Sequence, residues 1–188
     1  MIATALAVAS LAFTGGCIAC VAYLHVAPTG YSPVRNAVSE YGVGPFARWY
    51  RAQAACAGIA ALLLAGALAK DVHPTPRRVV TLLAVLAVAR VAIGWFPTDL
   101  LDARTRSRNG SIHLLLAAAA FTSASWAGVA LRRSQHGQPA LGWAMALCAI
   151  GTFLSVHRSP LKPWLGVIER GYYVAMVAWL LLVAARLA

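Results

Sequence analysis

The chain has 188 residues, of which 61% are hydrophobic and only 11% are charged, and its mean hydropathy is +0.71. Soluble domains are about 45–50% apolar, so this composition excludes a soluble globular protein. The 16 Lys and Arg residues outnumber the 5 Asp and Glu residues and give a net charge of +11. Most of these cations lie between apolar segments, where they orient membrane helices and contact anionic headgroups. The expected partners are therefore membrane lipids and not nucleic acid.

Six apolar segments are long enough to cross roughly 30 Å of hydrocarbon as helices. Their apolar residues are continuous and do not alternate, which favours helices over a β-barrel. We therefore predict an all-α fold, an integral membrane bundle of six transmembrane helices in which residues 1–188 form a single domain. The first segment is expected to be retained as a helix, because it lacks the charged start of a signal peptide. The predicted segments are Ile2 to Val26, Phe46 to Ala69, Val79 to Phe96, Ser111 to Leu131, Leu141 to Val156 and Trp164 to Ala185.

All four cysteines fall within these segments. Cys17 and Cys20 form a Cys-x-x-Cys pair, a spacing that can indicate a redox or metal site. Thiols in hydrocarbon stay protonated and unreactive, so helix packing is the predicted role of this pair. No haem, phosphate-binding or nucleotide motif stands out, and the sequence leaves any cofactor unknown.

The polar residues are sorted unevenly between the two ends of the predicted bundle. The connections after the first, third and fifth helices share one end, here called the lid end; the other two connections and both termini share the terminal end. The lid end holds Glu40, Asp99, Asp102, Glu169, His25, His113 and His157, whereas the terminal end holds Asp71, His73 and His136. This sorting predicts a water-filled polar pocket at the lid end.

Residues 28–45 form the first connection and are predicted to cover the pocket as a lid. Two prolines stand near its start, Asn36 or Ser39 can cap a short helix, and Gly42 and Gly44 allow a turn into the second segment. A solvated loop is the alternative interpretation.

The candidate residues fall into three groups by predicted role. Arg90 lies about 9 Å of helical rise inside the third segment, so it must snorkel or pair with a carboxylate. Glu169 and Arg170 point about 100° apart on one helix and should meet different partners. The candidate catalytic residues are Glu40, Asp99, His113 and Glu169; the pocket or structural candidates are Ser39, Arg90 and Arg170; the candidate metal ligands are His25, His113 and His157. Glu40, Asp99, His113, Glu169 and Arg170 are expected to converge on the pocket.

Several short motifs, taken in order, resemble a known family. They are Tyr31-Ser32-Pro33, Ser39-Glu40-Tyr41-Gly42, Phe96-Pro97-Thr98-Asp99, His113 and Gly166-Val167-Ile168-Glu169-Arg170. Together they resemble domain of unknown function family 998, although Tyr41 stands where a Leu is common. The resemblance implies a six-helix membrane protein distantly similar to the FRAG1, DRAM and Sfk1 group, which is linked to lipid handling and membrane organisation, with no established reaction. It also implies importance for Ser39, Glu40, Asp99, His113, Glu169 and Arg170.

Two functions are compatible with these residues. The first is a lipid-associated or membrane-organising protein. The alternative is an intramembrane lipid-modifying enzyme, hydrolase-like, using either a metal or metal-free acid–base chemistry.

The expected location is the bacterial cytoplasmic membrane. Lys and Arg are more numerous at the lid end, which alone places that end in the cytoplasm, whereas the family resemblance implies cytoplasmic termini, and we follow the resemblance. The oligomeric state is not readable from the sequence.

Overall fold

A computed structural model describes residues 1–73, 75–100, 103–156 and 160–188. Within these ranges the chain forms six long α-helices joined by connections that include three short 3-10 helices, and this confirms the all-α prediction. The α-helices are α1 (Ile2–Val26), α2 (Ala47–Lys70), α3 (Arg77–Ile93), α4 (Arg108–Ala130), α5 (Pro139–Val156) and α6 (Leu165–Ala185). The 3-10 helices are Val38–Gly42, Leu131–Arg133 and Lys162–Trp164.

The lengths and compositions of the helices suit a membrane. In the described ranges, 5 helices are long and apolar enough to cross one, namely all except α3. Helix α3 has 17 residues and a length of about 26 Å. Its winding continues to the predicted end, because the backbone N–H groups of Gly94, Trp95 and Phe96 donate to carbonyls three residues back. The predicted third segment therefore corresponds to α3 plus this turn.

The six helices form a closed ring. Each helix packs against the next along the chain, and α1 also packs against α6. The connections alternate between the two ends of the bundle, so successive helices run in opposite directions. The connections after α1 and α3 meet around one cavity, while Asp71 after α2 contacts His136 after α4 at the opposite end.

Small residues allow adjacent helices to approach closely, as is usual between membrane helices. A Cβ atom on Gly58 would lie 2.8 Å from the Ala87 carbonyl oxygen, so the backbones of α2 and α3 meet directly here. Likewise, a Cβ atom on Gly128 of α4 would lie 2.8 Å from the Cα of Gly142 in α5. Large apolar side chains face outward instead, among them Leu115, Trp126, Leu147 and Val174.

Residues 28–45 pack onto the lid end and are not a solvated loop. Val38, Glu40 and Tyr41 are buried in the short helix Val38–Gly42. The predicted caps were wrong, because Ala37 occupies the N-cap position and its N–H donates to Glu40 Oε2 over 2.9 Å. Asn36 instead accepts a hydrogen bond from the Ser32 N–H and donates one to Glu40. The lid is thus held by its own polar groups as well as by the helices beneath it.

Candidate functional site

A cavity of about 330 Å³ lies inside the helix ring at the lid end. Helices α2 to α6, the lid and the connection after α3 all contribute to its wall. The predicted site residues in this wall are Ser39, Glu40, Arg90, Asp99, His113 and Glu169. Arg170 is not in the wall, so the structure brings together four of the five groups that were expected to converge.

Two buried carboxylates connect the lid to the cavity. Glu169, in the first turns of α6, accepts a hydrogen bond from the Val38 N–H over 2.6 Å. Glu40 accepts hydrogen bonds of 2.9 Å from Asn36 Nδ2 and from the Ala37 N–H. Each carboxylate therefore orders lid backbone while it also forms part of the cavity wall.

Arg90 places a guanidinium group in the same wall, with only 1% of the residue exposed. Nη1 donates to the Tyr173 hydroxyl over 2.8 Å and Nη2 donates to Gln53 Oε1 over 2.9 Å. In the described ranges no carboxylate lies within 4.0 Å of this group, and its Nε has no hydrogen-bond partner. The prediction that Arg90 snorkels or meets a carboxylate was wrong, because two neutral oxygens, on α2 and α6, accept its hydrogen bonds instead.

Arg170 ties the lid to α1 and α6 beside the cavity. Its Nε donates to His25 Nε2 over 2.7 Å, its Nη1 to the Asn36 carbonyl oxygen over 2.8 Å, and its Nη2 to the Tyr41 hydroxyl over 3.1 Å. The guanidinium also lies over the Tyr41 ring, 5.7 Å from its centroid. Glu169 and Arg170 thus have different partners, as their angular separation on the helix predicts.

The ring of His113 is held in one orientation. Its Nδ1 lies 2.6 Å from the Phe96 carbonyl oxygen, and because a carbonyl only accepts, Nδ1 must carry the proton. In the neutral ring Nε2 is therefore the nitrogen with a lone pair. His113 lines the cavity, so this arrangement suits a hydrogen-bond acceptor or a base.

Asp99 fixes the connection after α3 to the start of α4. Its Oδ2 accepts a hydrogen bond from the Ser107 N–H over 2.9 Å, and Ser107 caps α4 through a 2.9 Å bond from the Gly110 N–H. Hydrogen bonds from Ser107 lower the pKa of Asp99 below its ordinary value against the opposing effect of partial burial, and Arg106 adds to the lowering. Asp99 is accordingly a carboxylate held ionised at the rim of the cavity.

Residues from four of the five sequence motifs line this one cavity. The family described as Protein of unknown function (DUF998) matches residues 7–186. The chain belongs to this family. Its description names no reaction, and neither a curated protein nor a solved structure matches the chain significantly.

The two described metal candidates of this DUF998 protein, His25 and His113, have different hydrogen-bond partners. Both ring nitrogens of His25 are engaged, Nδ1 with the Val21 carbonyl oxygen over 2.7 Å and Nε2 with Arg170. His157 lies outside the described residues, as does Asp102. Among the described residues, the one group of three side chains spaced to hold a metal ion is Asp71, His73 and His136 at the terminal end.

Three residues of the cavity region were not singled out from the DUF998 sequence as functional. Gln53 and Tyr173 accept the hydrogen bonds of Arg90, and the Tyr50 hydroxyl is buried in the cavity region with no described partner. The sequence did carry a signal for Gln53, since it is an amide within a predicted membrane segment. Polar groups in membrane helices usually face the bundle interior, and Gln53 is fully buried there.

Proposed function

We propose that this DUF998 protein binds a phospholipid headgroup in the cavity at the lid end. The observation that carries the proposal is Arg90, a buried cation in the cavity wall with no carboxylate oxygen within 4.0 Å among the described residues. A buried charge that is not directly paired is costly. A phosphate group in the cavity offsets that cost.

The cavity has the size that such a ligand needs, and two of its wall residues carry polar atoms without a described partner. Its volume of about 330 Å³ lies at the lower end of the range of roughly 300–1,000 Å³ that is usual for small-molecule sites. Besides Arg90 Nε, the Tyr50 hydroxyl is a buried polar group in the wall with no partner among the described residues. These two groups favour a polar ligand over a purely apolar chain.

Charges of both signs indicate which headgroup fits. Glu40 and Glu169 provide carboxylate oxygens, while Arg104 and Arg106 are exposed cations on the connection after α3. A headgroup that combines phosphate with N–H donors, such as phosphoethanolamine, complements this wall. The apolar side chains of Leu114 and Phe153 provide contact for the first carbons of the lipid.

We further propose that the protein resides in a bacterial cytoplasmic membrane with both termini in the cytoplasm. The family resemblance supports this orientation. The contacts of Arg170 also support it. Three residues of α1 and the lid accept hydrogen bonds from this cation, so it should not be counted among the loop charges that orient a membrane protein. The headgroup cavity then opens toward the outer leaflet.

The test is a binding measurement on the purified full chain in mild detergent. Short-chain phosphatidylethanolamine is titrated into wild type, Arg90→Met and Arg78→Met, and binding is followed by calorimetry. A hydrogen bond to a charged group contributes about 1.5–3 kcal/mol, so Arg90→Met should weaken binding by about tenfold or more. Arg78 is an exposed arginine at the terminal end, so its variant should bind like wild type.

A second variant separates loss of the ligand contact from loss of the fold. Ala117 lines the cavity, and Ala117→Leu should lower affinity by filling the space without removing a charge. Phosphatidylcholine, whose headgroup has no N–H donor, should bind more weakly than phosphatidylethanolamine. Equal affinity in wild type, Arg90→Met and Ala117→Leu contradicts the proposal, as does an equal loss in Arg78→Met.

The geometry of His113 favours a second proposal, in which the cavity also modifies the bound lipid. Donation from Nδ1 to the Phe96 carbonyl leaves Nε2 as a base within the cavity wall, the arrangement that general-base histidines use. Conversion of the titrated lipid to a lyso-lipid or a free headgroup in the same samples would support this second proposal. Unchanged lipid after prolonged incubation would oppose it.

A further inference from the structure

A cluster of metal-binding side chains lies at the terminal end, on the opposite side of the bundle from the cavity. Asp71 and His73 follow α2, and His136 lies in the connection between α4 and α5. One ligand atom from each of the three residues lies within 4.8 Å of the other two. The connection after α2 and the connection after α4 therefore together supply one group of possible metal ligands.

The separations within this cluster are within about half an ångström of those between the ligands of a zinc ion. His136 Nε2 lies 2.8 Å from Asp71 Oδ2, and His73 Nδ1 lies 3.8 Å from Asp71 Oδ1. With zinc–ligand bonds of about 2.0–2.1 Å, neighbouring ligands of a tetrahedral site are about 3.3 Å apart. The two observed distances lie on either side of that value, so small side-chain movements complete the geometry.

Gln135 lies beside both imidazole rings of the cluster. Its Nε2 lies 2.8 Å from His73 Nδ1 and 3.3 Å from His136 Nε2. His136 Nε2 also lies 2.8 Å from Asp71 Oδ2, and because a carboxylate only accepts, the ring N–H donates to it when no metal is bound. A metal ion takes the place of that proton, since an imidazole binds a metal through a nitrogen without a proton.

The fold holds the deepest ligand in place. His136 is only 4% exposed and lies in a tight turn in which its N–H donates to Ser134 Oγ and the Gly137 N–H donates to the Ser134 carbonyl oxygen. A side chain at Gly137 would place its Cβ 2.5 Å from the Leu131 carbonyl oxygen, so the turn has little freedom. His73, in contrast, is exposed and able to adjust.

We propose that Asp71, His73 and His136 bind one Zn²⁺ ion that joins the connection after α2 to the connection after α4. Two imidazoles and a carboxylate are ligands that Zn²⁺ prefers, and three protein ligands leave a fourth position for water. Arg186 donates to the Gln135 carbonyl oxygen over 3.2 Å, which places the end of α6 beside the site. The ion thus stabilises the terminal end, independently of any lipid bound at the lid end.

Zinc binding is measured on full-length protein without a histidine tag, in detergent and after removal of metal with a chelator. Titration with ZnCl₂ in competition with a zinc-binding dye should give one tight site per chain in wild type. Loss of even an outer-shell partner of a metal site weakens binding about 10–100-fold, so His73→Ala and His136→Ala should each weaken it at least tenfold. Zinc should raise the Tm of wild type but not that of His73→Ala.

His25→Ala is the matched control, since it removes a histidine at the lid end and should leave zinc affinity unchanged. His73 is exposed, so its variant should fold even if the buried His136 cannot be replaced. Absence of a tight site in wild type, or equal zinc affinity in wild type and His73→Ala, overturns the proposal. A loss of binding in His25→Ala equal to that in His73→Ala also overturns it.

Discussion

The depressed pKa of Asp99 makes the rim of the cavity sensitive to acid. Because the folded protein holds this carboxylate ionised through Ser107, it binds a proton less readily than the unfolded chain does. The resulting stabilisation is present above the ordinary Asp pKa of about 3.9 and is lost as pH falls through the lower folded value. Asp99→Asn should therefore lower the free energy of unfolding by about 1 kcal/mol at pH 7 and by almost nothing at the acid end.

Thermal unfolding at several pH values checks this expectation. For a chain of this size, 1 kcal/mol corresponds to a Tm decrease of about 2–4 °C, which should shrink as the pH drops below 4. Asn109→Ala serves as the control, because Asn109 is an exposed neighbour on α4 with no titratable group, and its effect should not change with pH. A Tm difference between Asp99→Asn and wild type that is the same at neutral and acid pH would show that the charge is unimportant.

Individual residues also show what the sequence could and could not predict. The positions of Glu40, Asp99, His113 and Glu169 at one end follow from alternation of helices across a bilayer, and the structure places all four in one wall. The partners of Arg90 did not follow, because Tyr173 and Gln53 lie on α6 and α2. Those hydrogen bonds depend on which helices lie next to each other inside the bundle, and the pattern of apolar residues does not predict that.

At the scale of elements, the docking of the lid on α6 depends on the absence of a side chain at Gly166. A Cβ atom there would lie 2.5 Å from the carbonyl oxygens of Pro33 and Asn36 and 2.8 Å from that of Val34. These are backbone atoms, so the lid has to move to make room. Gly166→Ala should destabilise the protein by about 1–3 kcal/mol and speed tryptic cleavage after the exposed Arg35.

The control for the lid prediction is a glycine that has open space around it. A Cβ atom on Gly15 in α1 would meet nothing within 4 Å, so Gly15→Ala should leave the Tm and the cleavage rate at Arg35 unchanged or slightly improve stability. If trypsin cleaves Gly166→Ala after Arg35 at the wild-type rate, or if Gly166→Ala and Gly15→Ala lose stability equally, the lid does not depend on Gly166 for its docking.

For the whole molecule, the six helices were predictable because charges, prolines and glycines bound each apolar segment, and each observed helix lies near its predicted range. The cap of the short helix in the lid was not predictable. The expected cap was the side chain of Asn36 or Ser39, but the Glu40 carboxylate within the helix accepts a hydrogen bond from the N–H of the N-cap residue Ala37. The cluster of Asp71 and His136 was not predictable either. These two residues are far apart in the sequence, and the packing of α2, α3 and α4 brings them together at the terminal end.

The orientation of the bundle is decided by labelling single introduced cysteines. Charge counting and family resemblance give opposite orientations, and the proposed one places the lid outside the cytoplasm. A membrane-impermeant thiol reagent should therefore label Arg35→Cys in intact bacteria, whereas Val72→Cys should react only after the membrane is permeabilised. Both positions are exposed, and all four native cysteines lie within helices, so unmodified protein gives the background. The reverse pattern would show that the lid-end cations follow the positive-inside rule, and it would place the headgroup cavity in the cytoplasmic leaflet.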